Sequence, residues 1–380
     1  MKTQAGRRLC RIVLAATASL SLAAHAGDEK DDKKKDCDPP DNRNPVSRTY
    51  GKSTVAMAWS TTRDVGSRLY RHRAGIGPGS QLVEQAAPAQ SSGAKGGMSA
   101  KASAVSVPKM NRWEVYGSLF YYTDNYDDGD AVGGTLFNDS SFELAGGNLG
   151  LEYRINQNWS VGLGVTAATG ELDMNLIGSA DVDSVSVNPY VTYYRPDTFG
   201  SADLWAGLMY GYGMHSYESR RFTGAGLASG SPDAETHTVE LTAGVNFGDD
   251  DFVHGPYGGL RYITGTIDAY TEVGPGATFF GEQDVDSLVS ILGYQVSWKI
   301  RGGRGYWVPT LRAAWEHEFE DGNVTALGIP YSAADEDVGA VGAGIAYWWD
   351  SGWHVGLEYE GRFGSETEAH YGAVTAGKEF

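Results

Sequence analysis

The chain has 380 residues, a formal net charge of −18 and two cysteines, Cys10 and Cys37. So acidic a chain lacks the phosphate-neutralising surface that binding to nucleic acid requires, and no run of 18 apolar residues is present to cross a membrane as a helix. Glycine (52) and tyrosine (22) are abundant, which suits closely packed strands and interfacial girdles better than helices.

In chain order, Lys2, Arg7, Arg8 and Arg11 precede the apolar run IVLAATASLSLAA, which Ala24-His25-Ala26 closes. A basic start, about a dozen apolar residues and a small-x-small end make residues 1–26 a secretory signal peptide for the general secretion translocon, with cleavage expected before Gly27. Nothing else of a twin-arginine motif follows Arg7-Arg8. Cys10 leaves with the signal, so Cys37 has no intramolecular disulfide partner. The KKKD before Cys37 is not a lipoprotein anchor sequence.

Residues 27–52 begin GDEKDDKKKDCDPPDNRNP and show no apolar period, which predicts a short disordered segment. Residues 53–73, STVAMAWSTTRDVGSRLYRHR, are predicted to form one helix. Ser53 or Thr54 can cap its start, Val55, Trp59 and Leu69 lie at helical spacings, and Gly75, Gly77, Pro78 and Gly79 stop it. Its 21 residues would extend about 31 Å, close to the thickness of a bilayer core, yet it is too polar to meet lipid. The Ala/Gly/Ser-rich stretch 74–111 reads as a flexible linker.

From Arg112 the pattern changes to a period of two. Twelve strands are predicted, near 112–125, 141–154, 159–172, 181–195, 203–218, 237–247, 257–271, 286–301, 306–319, 336–349, 353–363 and 367–380. In WHVGLEYEGRF, Trp353, Val355, Leu357, Tyr359 and Phe363 share one face, opposite Glu358, Glu360 and Arg362. The connections after the first, third, fifth, seventh and ninth strands are expected to be longer and acidic or glycine-rich, for example YDDGDAVGGTLFNDS and EVGPGATFFGEQ. The intervening ones are mostly short: NQN, RGGR, DSG. Alternating long and short ends along an even number of antiparallel strands describe an outer-membrane barrel, and lipid requires the sheet to close. The expected architecture is all-β, a twelve-stranded antiparallel transmembrane barrel spanning 112–380. The Trp353–Phe363 row would be lipid-facing, and Glu240, Arg261, Arg312, Glu316, Glu318, Glu358, Glu360 and Arg362 lumen-facing. A soluble β-sandwich or repeat protein is the competing reading.

Charge divides the chain. Residues 27–108 carry 13 basic and 9 acidic residues, whereas residues 109–380 carry 13 basic and 39 acidic ones. A helix of lumen length bearing Arg63, Arg68, Arg71 and Arg73, upstream of an acidic barrel, suggests a helix lodged in the pore, its arginines meeting carboxylates such as Glu240, Glu316, Glu318, Glu358 and Glu360. The alternative is that most of the acid lies in outer loops and solvates them.

YGGLRY (257–262), DSLVSILGYQVSW (286–298), VPTLRAAWEHEFED (308–321), DVGAVGAGIAYWWDSGWHVGLEYEGRFGSE (337–366) and the terminal GAVTAGKEF resemble the C-terminal translocator β-domain of type V autotransporters. TTRDVGSRLYRHR is similar to the helix that precedes those barrels. The resemblance implies a twelve-stranded barrel in a Gram-negative outer membrane, long loops at the cell surface, a helix threading the pore and an upstream passenger. It also implies that the barrel-assembly machinery recognises the last strand, with Phe380 in its assembly signal. Three features depart from the family: the passenger-like segment is only 27–52, Lys378 stands where the terminal signal prefers Tyr or an apolar residue, and the linker 74–111 is long.

Catalysis is not expected. Adjacent His215 and Ser216 point to opposite faces of a strand, as do His317 and its neighbours Glu316 and Glu318. HExxH, GxSxG and paired-cysteine metal spacings are absent, while GPGATFFG and GGRG read as turns. No catalytic, cofactor or metal residues are therefore assigned. The expected protein is a monomeric outer-membrane translocator that conducts or displays its N-terminal segment, with outer-membrane lipid, the secretion translocon and the assembly machinery as partners. A cargo-free pore and a loop-mediated adhesin are the alternatives.

Overall fold

The computed structural model describes residues 45–73, 111–126, 140–174, 177–200, 202–249, 251–319, 324–326, 329–331 and 335–380. The expected signal peptide, most of the passenger-like segment and nearly all of the linker lie outside these residues. So do the side chains of Leu69, Arg71 and Arg73.

Twelve strands form the barrel: β1 (Trp113–Tyr126), β2 (Ser140–Arg154), β3 (Trp159–Asp173), β4 (Gly178–Arg195), β5 (Asp203–Phe222), β6 (Asp233–Gly248), β7 (Phe252–Ile267), β8 (Gln283–Trp298), β9 (Gly305–Glu318), β10 (Asp337–Trp349), β11 (Trp353–Phe363) and β12 (Thr367–Glu379). Each pairs antiparallel with its sequence neighbour, and β12 pairs with β1 from Glu114↔Glu379 to Tyr126↔Thr367. Closure leaves no sheet edge unpaired, which is what lipid demands.

One barrel end carries the turns 155–158, 196–202, 249–251, 299–304 and 350–352, together with the start of β1 and Phe380. The other carries the longer connections. One connection at this long-loop end is shorter than the sequence pattern suggests: β3 and β4 are joined by only 174–177, while β11 and β12 are joined by 364–366, as the predicted strand bounds imply. The extended strands absorb the rest of the acidic stretch after β3. In the tight turn 350–352, Gly352 has φ +83°, a conformation that side chains disfavour.

Alternation sorts the side chains into two environments. Outside, near the short-turn end, aromatic rings pair across strands: Trp113 with Tyr153, Trp159 with Tyr193, Phe252 with Trp298 and Trp307 with Tyr347. A second outward band nearer the long loops places polar-tipped rings beside acids and histidines. Tyr121 donates to Glu143 (2.8 Å), Tyr262 to Asp286 (2.8 Å) and Trp315 Nε1 to Asp337 (2.9 Å). Between the bands lie exposed apolar residues such as Leu119, Leu149, Leu163, Leu292, Leu311 and Leu357. An apolar band between aromatic girdles is the lipid-facing surface of an outer-membrane barrel.

Inside, glycine abundance has a packing reason. The Tyr116, Tyr190 and Tyr257 rings lie where a Cβ on Gly150, Gly162 and Gly293 would stand, so large inward rings fold flat onto glycine in the next strand.

The helix α1 (Pro45–Arg73) occupies the barrel interior, closest to β3–β8. It begins eight residues before the predicted start at residue 53. Residues 45–52 contain Gly51 and β-branched side chains, so propensity alone does not favour a helix there. Pro45 is compatible with a first turn, and burial of Tyr50 (2% exposed) among Tyr217 and Tyr270 supplies the missing stabilisation.

Candidate functional site

The lumen filled by α1 is the candidate site. Its helix presents a stretch of small side chains, Ser53, Thr54, Ala56, Ala58, Ser60, Thr61 and Thr62, all buried. Burying so many hydroxyls requires partners. Ser53 and Ser60 donate to carbonyls one turn back, and Thr61 and Thr62 to those of Met57 and Ala58 (2.8 and 2.7 Å). The Thr54 and Tyr217 hydroxyls share a hydrogen bond of 2.7 Å, and Thr166 on β3 donates to the Thr61 carbonyl at 3.0 Å.

Two wall glycines let the helix come this close. A Cβ on Gly211 would lie 2.6 Å from Thr62 Cγ2, and one on Gly164 would lie 2.6 Å from Val65 Cγ2.

Trp59 marks the middle of the plug. It packs against Tyr122 and Tyr371 (centroids 5.3 and 6.0 Å), with the guanidinium groups of Arg362 and Arg261 5.0 and 5.9 Å from its ring. Around it lies a buried cluster including Met57, Phe120, Phe142, Leu144, Leu172 and Ile263.

Two arginines tie the helix to the wall. Arg63 reaches Glu360 (2.9 Å) and Glu358 (3.3 Å) on β11, carboxylates it shares with Arg312 of β9. One turn and more along, Arg68 reaches Glu114 of β1 (2.7 Å) and Glu152 of β2 (3.5 Å), its guanidinium lying 3.3 Å from the Tyr116 ring centroid. Wall residues pair among themselves as well: Arg261 with Glu316 (3.0 Å) and Glu240 (4.0 Å), and Arg362 with Glu316 (2.7 Å). Between α1 and β6–β11 remains a small polar cavity of about 20 Å³, lined by Arg63, Glu240, Arg261, Arg312, Glu316 and Glu360 among others.

Each predicted lumen-facing residue points inward. Glu318 accepts from Ser287 and from the Leu288 amide of β8. Glu240 and Glu316 meet wall arginines rather than helix arginines. Arg68 instead binds Glu114 and Glu152, which the sequence reading did not single out; both fall on the inward parity of β1 and β2. Trp353, Val355, Leu357, Tyr359 and Phe363 are exposed on the outside. His215 lies inside, hydrogen-bonded to Ser184 (2.9 Å) and Thr236 (2.8 Å), while Ser216 points out. Among the described residues, no group of His, Cys, Asp and Glu has metal-holding geometry.

Phe380 exchanges backbone hydrogen bonds with Trp113, which carries the β12–β1 pairing to the last residue. Lys378 projects outward and turns its ammonium to the Ser351 carbonyl at the turn, above the Trp353 ring. It thereby snorkels out of the apolar band.

The helix polarity is defined by its contacts. Tyr50 lies at the long-loop end beside Tyr217 and Tyr270, and Arg68 lies at the short-turn end beside Glu114, the second residue of β1. The chain therefore enters α1 from the long-loop end.

The barrel with its internal helix is similar to the translocator domain of the autotransporter NalP from Neisseria meningitidis (TM-score 0.64, 16% identity, covering 88% of this chain and all of that one). It also resembles the β domain of the Bordetella autotransporter BrkA (TM-score 0.57, 13% identity, 71% of this chain and all of that one). A third likeness is to the transport unit of AIDA-I from Escherichia coli (TM-score 0.52, 14% identity, 73% and 92%). No curated protein matches the chain. The autotransporter beta-domain family matches residues 115–360, and the chain belongs to that family, whose barrels sit in the Gram-negative outer membrane.

Proposed function

We propose that the barrel carries the segment upstream of Pro45 across the outer membrane, displays it at the cell surface, and keeps α1 behind as a plug. The observation that supports this most directly is the direction of the helix. With the long loops outside, as expected for this architecture, the chain preceding Tyr50 emerges at the surface, whereas Arg68 and the start of β1 remain at the periplasmic end. The family membership supports an outer-membrane translocator, and the paired arginines give a reason for the chain to stop where it does. In this reading the secretion translocon delivers the chain, the assembly machinery acts on the strand ending in Phe380, outer-membrane lipid surrounds the apolar band, and one chain suffices.

Cys37 offers a direct test, because Cys10 leaves with the expected signal peptide. An impermeant maleimide should label Cys37 on intact cells as fully as on permeabilised ones. Labelling only after permeabilisation would place the segment in the periplasm and favour a cargo-free pore.

A further inference from the structure

Three glutamates stand in a row across the barrel closure. Glu114 on β1 is directly opposite Glu152 on β2 and directly opposite Glu379 on β12. All three point inward, with side chains no more than 10% exposed. Like charges directly opposed on one face weaken strand pairing, and burial strengthens the repulsion. The remaining inward pairs along this seam carry no such conflict: Tyr116↔Gly377, Ser118↔Thr375, Phe120↔Ala373, Tyr122↔Tyr371 and Asp124↔Ala369.

A wall arginine meets one end of the row. Arg154 on β2 lies 3.5 Å from Glu379 and also donates to the Asn111 carbonyl at 2.8 Å. A second permanent cation comes from the helix, where Arg68 bridges Glu114 and Glu152 (2.7 and 3.5 Å). Two tyrosines and a histidine complete the cage: Tyr190 donates to Glu152 (2.9 Å), Tyr116 stacks beneath Arg68, and His354 Nε2 of β11 lies 3.5 Å from Glu114.

We propose that Arg68 acts as a closure residue, the docked helix locking the short-turn end of the β1–β12 seam by neutralising this row. Occupancy of the pore and closure of the barrel are then coupled. Arg63 is the natural control. Its partners Glu358 and Glu360 keep Arg312 when it is removed, and they stand outside the row, opposite Ala373 and Tyr371 rather than the 376–380 end of β12.

Hydrogen–deuterium exchange on the full-length purified barrel tests this, comparing wild type with Arg68→Gln, Arg68→Lys, Arg63→Gln and Arg68→Gln/Glu114→Gln. Removing one partner of a buried ion pair leaves an uncompensated charge, so Arg68→Gln should speed exchange at 113–117 and 376–380 by about tenfold or more. Strands β5–β8 should stay unchanged. Arg68→Lys should give a smaller increase, Arg63→Gln none at the seam, and Glu114→Gln in the double variant should restore slow exchange. Unchanged seam exchange in Arg68→Gln, an equal rise throughout the barrel, or no recovery in the double variant would each overturn the proposal. Should Arg68→Gln fail to assemble, the double variant must recover the heat-modifiable barrel; its failure would also overturn the proposal.

Discussion

Deleting residues 45–73, while keeping the signal peptide and everything from residue 111 onward, should raise single-channel conductance severalfold in planar bilayers. A closed twelve-stranded barrel has room for one helix, and in this chain that room is filled. Met57 and Trp59 pack against the wall, the small-residue stretch sits against Gly164 and Gly211, and Arg63 and Arg68 bridge to different strands of the wall. A small polar cavity remains beside Arg63. Once the helix is gone, the inward charges described above are Glu114, Asp124, Glu152, Glu240, Glu316, Glu318, Glu358, Glu360 and Glu379 against Arg154, Arg261, Arg312 and Arg362. An excess of carboxylates attracts cations, so the open pore should prefer them, with reversal potentials under a salt gradient as the measurement. Conductance equal to that of the intact chain would mean that the helix does not obstruct the pore.

The second large effect concerns the outer face. Leu357 is 58% exposed, midway along β11, and its register neighbours are Ile345 on β10 and Val374 on β12. Leu357→Arg places a cation among these apolar side chains near the bilayer midplane and should cost roughly 2–4 kcal/mol. Glu358→Gln, one residue along, faces the lumen, where Glu360 still serves both Arg63 and Arg312. It should cost much less. Urea midpoints followed by heat-modifiable gel mobility compare the two; equal losses would mean that β11 has its faces reversed.

The barrel was legible because lipid imposes a simple rule. In β11, Trp353, Val355, Leu357, Tyr359 and Phe363 alternate with His354, Glu358, Glu360 and Arg362, broken only by glycines, and several other strands show the same two-residue period. Which carboxylates would meet the helix was less legible. Alternation states that Glu114, Glu152, Glu240 and Glu316 face inward, but a sequence does not give the rotation or depth of a helix inside a barrel. Those two quantities send Arg68 to β1 and β2 and leave Glu240 and Glu316 to Arg261 and Arg362. The first two turns of α1 were missed for a related reason. Around Gly51 local propensity is weak, and the aromatic pocket of Tyr217 and Tyr270 that buries Tyr50 comes from strands more than 150 residues away. Lys378 looked out of place in a terminal strand, yet the carbonyl of Ser351 lies within its reach.

That α1 lies within the barrel in the assembled protein is the claim on which the rest depends, and one disulfide tests it. Thr62 and Gly211 are in contact, with Thr62 Cγ2 2.6 Å from where a Gly211 Cβ would stand. Thr62→Cys combined with Gly211→Cys, in a Cys37→Ser background, should therefore form a disulfide in the oxidising cell envelope without displacing the helix. The expected result is a barrel that remains heat-modifiable and, once denatured, runs faster without reductant than with it. Thr62→Cys with Leu208→Cys, which points outward, should show no such shift. A folded, membrane-inserted Thr62→Cys/Gly211→Cys barrel with both thiols free would contradict the placement of the helix.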